Sequence, residues 1–161
     1  MANLKVTDVQ GTKVYLVAKG TDVSDATKIA TAKAAGKQIG CLQSLGDISM
    51  TRAVTEFGCM SSNETVKSSG AISLGNQEIS TLFNAADTAG QQDMIKMWNE
   101  NTRRILIVEF NDQITPTTGN PTYMTYEVFP SGVTIPMAKD SAVLYNAVME
   151  ISSAPVFVLA T

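Results

Sequence analysis

The residues of this 161-residue chain that could do chemistry are few and poorly spaced for it. Among fifteen carboxylates, three spacings could bring two together: Glu56 with Glu64, Glu109 with Glu127, and Glu127 with Glu150. Such a pair could divide acid and base roles. The chain has no histidine, so the commonest general base and metal ligand is missing. Cys41 and Cys59 lie too far apart for a C-x-x-C motif, and sequence alone leaves their pairing open. Gly36-Lys37 lacks the earlier glycine and the following hydroxyl of a phosphate-binding loop. No G-x-G-x-x-G and no G-x-S-x-G occurs. With 6% aromatic residues and one tryptophan, the carboxylates have few sugar-stacking neighbours. They read as solvated charges on an exposed face. The expectation is no enzyme: no catalytic residue, no metal site and no cofactor.

The bulk composition sets the frame. At 44% hydrophobic and 17% charged residues, the chain has enough apolar material for one core, read as a single domain over 1–161. The net charge is −3, and the longest basic run is Arg103-Arg104. Nucleic-acid grip draws on a basic stripe, so specific DNA or RNA binding is not expected. The N-terminal residues lack a signal-peptide pattern, and no apolar run approaches the ~20 residues that span a bilayer. No membrane role is expected, and folding in a reducing cytoplasm would leave both thiols free.

The elements follow from apolar periodicity. Residues 11–19 alternate as a strand. Residues 24–35 are alanine-rich and read as a short surface helix or an ordered loop, with Ser24 or Asp25 as cap. A strand is expected over 37–45, continuing over 47–57. Residues 58–70 are serine-rich and lose the pattern, which reads as a long polar loop. Strand spacing returns at 71–74 and 78–83. Thr88-x-x-Gln91 has the form of a capping box and opens the main helix, about 88–99. Met94, Met97 and Trp98 define its core stripe. Strands follow over 104–111 and 122–129. Pro130-Ser131-Gly132 reads as a turn, followed by strands over 133–137, 143–151 and 156–159. The sum is mainly β: a β-sandwich or partly closed barrel of about seven strands with one flanking helix.

This order of parts resembles the tail tube (major tail) proteins of bacteriophages with long, non-contractile tails. The resemblance rests on the glycine-led strand at 11–19, a strand ending in an acidic turn at 42–47, and the long loop at 52–70. It continues through Ala71-Ile72-Ser73-Leu74, then Gly90-Gln91-Gln92 with Met97-Trp98, and the strand 104–110 ending in an aromatic. It implies a virion structural protein that self-assembles into hexameric rings stacked as a hollow tube. DNA would pass through the lumen without specific binding. The implied partners are further copies, a tape measure protein, and tail terminator and tail tip proteins. The implied location is the virion tail, with the host cytoplasm during assembly. The loop would order on an adjacent ring through Arg52, Phe57, Ser61, Ser62, Asn63, Glu64, Thr65, Lys67 and Gly70. A net-negative wall would keep DNA from sticking, with Asp47, Glu109 and Glu127 as lumen candidates. The alternatives are the tube protein of a contractile tail or of a type VI secretion system, and a β-sandwich decoration or connector module of a virion.

Overall fold

The computed structural model describes residues 10–58, 60, 64–84, 86–113, 119–137, 139 and 141–161. In chain order the elements are β1 (Lys13–Ala18), α1 (Ala26–Ala35), β2 (Lys37–Gln38), β3 (Leu42–Leu45), β4 (Met50–Gly58) and β5 (Thr65–Leu74). β6 (Asn76–Leu82), α2 (Gly90–Glu100), β7 (Arg104–Glu109), β8 (Tyr123–Thr134), β9 (Leu144–Ile151) and β10 (Val156–Val158) follow. The expected mainly-β class holds, with more strands than sequence spacing suggested and a second helix.

All strand pairs are antiparallel. The main sheet has the order β2-β1-β7-β8-β9-β6-β3, with β10 also on β8. β8 makes the sheet curl. Its first part, Tyr123 to Val128, pairs with β7, and the part from Val128 to Thr134 pairs with β9. Two half-sheets therefore share one long strand and turn their inner faces towards a common core. Val14, Leu16, Leu106, Val108, Met124, Tyr126 and Val128 come from the first half; Ile79, Tyr145, Ala147, Met149 and Ile151 come from the second. The edge strands β2 and β3 are joined by Ile39-Gly40-Cys41. Ile39 N–H donates to the Val14 carbonyl (2.9 Å), and Leu82 N–H donates to the Cys41 carbonyl (3.0 Å). The expected single strand over 37–45 is thus broken where the chain crosses between the two edges. Cys41 takes a left-handed φ of 53° there.

Pro130-Ser131-Gly132 is also corrected. It is a bulge within continuous β8, where the register to β9 shifts between Pro130 and Gly132. A bulge tolerates a proline that cannot donate to the ladder.

The two helices cover different faces. α1 is a helix and not a loop: Asp25 accepts from Lys28 N–H at 2.8 Å as its N-cap. Its buried Ile29 and Ala32 pack against Val17, Ile107 and Tyr123, on the outer side of the first half-sheet. Lys33 pins the last turn by hydrogen bonding Glu109, with its ammonium 5.0 Å from the Tyr123 ring centre.

α2 packs on the core. Met94 and Met97 have no exposed surface, each contributing about 1.5–3 kcal/mol from burial. Trp98, expected on the same stripe, is 46% exposed. At ~100° per residue its angle falls between those of the buried Met94 and Gln91, so its exposure comes from its place in the last turn and not from its angle. The expected Thr88 cap is likewise replaced. Asp87 Oδ1 accepts from Ala89 N–H (3.0 Å) and Gly90 N–H (3.1 Å). Gln91 makes no capping box; it is buried and ties three segments together. It accepts from Asn84 N–H (3.0 Å) and donates to the Leu82 carbonyl (2.7 Å) and the Gly40 carbonyl (3.4 Å). Gly90 lets the helix start approach the β2 backbone: a Cβ there would sit 2.3 Å from the Gln38 carbonyl oxygen.

Candidate assembly surfaces

Of the segment 58–70 read as a polar loop, Gly58 ends β4 and 65–70 begin β5, so with the strands expected over 47–57 and 71–74 it belongs to a β-hairpin. β4 and β5 form a two-stranded sheet of their own, apart from the main sheet. Every residue of β4 is exposed, as is every residue of β5 except Leu74. The hairpin therefore presents both faces to its surroundings. Two-stranded hairpins are marginal alone in water, and here no other element covers either face. Its apolar side chains are large: Val54 is 60% exposed, Phe57 58%, Val66 56% and Ile72 46%.

Register places the candidate residues. Phe57 pairs with Val66, Gly58 with Thr65, and Arg52 with Ile72. Lys67 and Glu56 are opposite one another and make an ion pair at 2.7 Å. Gly70 lies at the register shift between Arg52 and Val54, packed against Ala53. Glu64 is exposed. Ser61, Ser62 and Asn63 lie outside the described residues.

At the hairpin's base is an apolar groove of about 360 Å³. Its lining includes Leu45, Ile48, Met50, Phe110, Met124 and Phe157. Phe157, on β10, is 54% exposed at its rim. Asp47 is the one charged residue in its lining.

The three acidic candidates are not brought together. Asp47 is exposed between β3 and β4. Glu109 and Glu127 point to the side of the first half-sheet that carries α1, and each faces two cations. Glu109 bonds Lys33 and lies 3.7 Å from Lys13. Glu127 lies 3.3 Å from both Lys19 and Arg103. Burial acts to raise the Glu127 pKa, but the hydrogen bonds from Arg103 and Lys19 outweigh it and hold the carboxyl below the ordinary glutamate range. Those cations cancel the negative field expected of these two residues.

A different acidic face was missed in the sequence. The outer side of the second half-sheet carries Ser44 on β3, Asn76, Glu78 and Ser80 on β6, and Asn146, Val148 and Glu150 on β9. Ser80 donates to Asn146 Oδ1 at 2.6 Å. No Lys or Arg occurs in β3, β6, β9 or the Val128-to-Thr134 part of β8. Among the described residues, Glu78 and Glu150 make no ion pair. The signal was available as an absence of Lys and Arg across three strands, but only the pairing order shows that those strands are adjacent. Among the described residues, no three of His, Cys, Asp and Glu cluster as metal ligands. No helix there is long and apolar enough to cross a membrane.

No protein-family model and no curated protein matches the sequence. Solved structures do match the fold. The chain is similar to the SPP1 tail tube subunit, with a TM-score of 0.69 and 9% identity over 94% of this chain and 78% of that one. It is similar to a chain of the sheath-tube complex of PVC, an extracellular contractile injection system, with a TM-score of 0.65 and 13% identity over 97% and 93%. It is also similar to a chain in the tail of an empty gene transfer agent particle refined with C6 symmetry, with a TM-score of 0.62 and 13% identity over 94% and 98%. The curled antiparallel sheet with its flanking helices is the fold of tail tube subunits.

Proposed function

We propose that this chain is the structural subunit of a phage tail tube, closing into rings of six that stack into a hollow conduit for DNA. The observation that carries this reading is the projecting β4–β5 hairpin, uncovered on both faces, on a domain with the tube-subunit fold. The fold likeness to the SPP1 tail tube and to the C6-symmetric gene transfer agent tail supports it. The helix-free acidic face, with Glu78 and Glu150, is the wall offered to DNA. Six copies, each with a net charge of −3, would repel the phosphate backbone and leave it free to slide. A tape measure protein, tail terminator and tail tip proteins are the partners such a tube needs inside it and at its ends. The virion tail is its place, reached from the host cytoplasm.

A second reading, the tube of a contractile system, is favoured by the likeness to the PVC sheath-tube chain, which extends over nearly all of both chains. The two readings share the tube and differ in what surrounds it.

The hairpin tests both. Ala53 and Gly70 face each other closely, so residues 54–69 can be replaced by Asn-Gly, which favours a tight hairpin turn. The shortened protein should keep its thermal midpoint and stay as single subunits or single rings in sedimentation at concentrations where the full chain polymerises. Polymers of normal length from the shortened protein would contradict the proposal.

A further inference from the structure

We propose that α1 is a lid that swings off the first half-sheet while the sheet stays folded, and that Lys33 is its latch. This does not rest on the tube reading. The main core joins both half-sheets and α2 and takes no side chain from α1. α1 belongs to a second, smaller cluster, to which it gives the buried Ile29 and Ala32 and the half-buried Ala26. A satellite cluster of this kind can open without breaching the core beside it.

The polar ties divide in the same way. At the start of α1 they are local. Lys28 Nζ lies 2.8 Å from Asp22 and donates to Ser24 Oγ at 3.0 Å. Ser24 N–H donates to Asp22 at 3.1 Å, and Lys28 N–H donates to Asp25 at 2.8 Å. None of these bonds reaches the sheet, so 22–28 moves as one piece. A groove of about 350 Å³ follows this flank, and its lining comes from α1 and the turn before it. Glycines bound the piece. Gly20 has a φ of +85° with open space around it, and Gly36 follows the last turn directly. Beyond Gly36, β2 is held to β1 by the pairs Tyr15–Gln38 and Leu16–Lys37.

Lys33 is the exception. Among the described residues it is the one polar side chain of α1 bonded to the sheet. Its ammonium hydrogen bonds Glu109 on β7 and lies 3.4 Å from Tyr123 Oη. The ring centres of Tyr15 and Tyr123 are 5.3 Å and 5.0 Å away. The two charged side chains are only 19% and 14% exposed, so the cation is held more firmly than a solvated pair would hold it. Ile29, Ala32 and Lys33 share one helix face at i, i+3 and i+4. Breaking the Lys33 contact therefore frees the whole stripe. Opening uncovers Val17, Ile107 and Tyr123, an apolar outer face that the closed lid keeps from water.

Hydrogen exchange of the full chain at low protein concentration, with and without mild denaturant, tests this. Amides of Ile29 to Ala35 should exchange about 100-fold faster than those of Leu106 to Val108. Their rate should hardly depend on denaturant, because an opening lid exposes little surface. Lys33→Met keeps an apolar stem and removes the charge; it should speed α1 exchange about tenfold. Lys33→Arg keeps the cation and should stay within about threefold of wild type. Lys13→Met removes the other cation on Glu109 from the sheet side. It should also leave α1 exchange within about threefold, since that pair survives opening. Exchange of α1 and β7 in one denaturant-dependent step would overturn the lid. An α1 rate unchanged in Lys33→Met would overturn the latch.

Discussion

At the residue scale, burial separates side chains that the sequence could not. Met94 and Met97 share the buried arc of α2, and a 3.6-residue period is enough to find them. Trp98 satisfies the same spacing from Met94 and is 46% exposed; spacing fixes an angle, and only the neighbouring elements fix where the core ends. Met97→Ala should therefore lower the unfolding free energy by about 2–5 kcal/mol, whereas Trp98→Ala, which gives up only the buried half of its surface, should cost about 1–2 kcal/mol. Denaturant titration of the two variants checks the difference. Glu127 gives a pH prediction. Its folded pKa is depressed by Arg103 and Lys19 against the opposing effect of burial. Its contribution to stability is thus present above the ordinary glutamate range and is lost as pH falls through the lowered value. Glu127→Gln should flatten that part of the acid limb of stability against pH; an unchanged limb would show that the pairs contribute nothing.

At the element scale, the strands that pack were legible, and of the projecting pair β4 and the end of β5 were expected as strand over 47–57 and 71–74, while the first part of β5 was not. β9 alternates because only one of its faces meets the core, while β1 and β7 are apolar on both faces because the core lies on one and α1 on the other. β5 is exposed on both faces from Thr65 to Ser73, so nothing in Thr65 to Gly70 had to alternate, and its serines read as loop. The bulge at Pro130-Ser131-Gly132 shows the same limit, since those residues suit a turn and a bulge alike. The candidate assembly residues Arg52, Phe57, Thr65, Lys67 and Gly70 were found from a resemblance in the order of parts. The pairing is what the structure adds to them: an exposed two-stranded arm, with Phe57 facing Val66.

At the scale of the whole molecule, the curled sheet divides its outer surface in two. One half carries α1 and ion-paired carboxylates; among the described residues the strands of the other hold no Lys and no Arg, though Arg103 reaches its border over the Phe129 ring, cross-strand from Glu150. Glu109 and Glu127 looked suitable for a negative wall because their strands alternate, but alternation does not reveal which cations lie alongside. Glu78 and Glu150 have the better surroundings. Tubes of the Glu78→Lys, Glu150→Lys double variant should retain DNA at low salt and release it as salt rises, while wild-type tubes should retain none in a co-sedimentation assay. Equal behaviour of the two would place the wall elsewhere.

The most direct measurement of the central claim is electron microscopy of the purified full chain across a range of concentrations. The account predicts hollow tubes at high concentration, with six-fold symmetry in end views. Single particles at every concentration, or filaments with no channel, would contradict it.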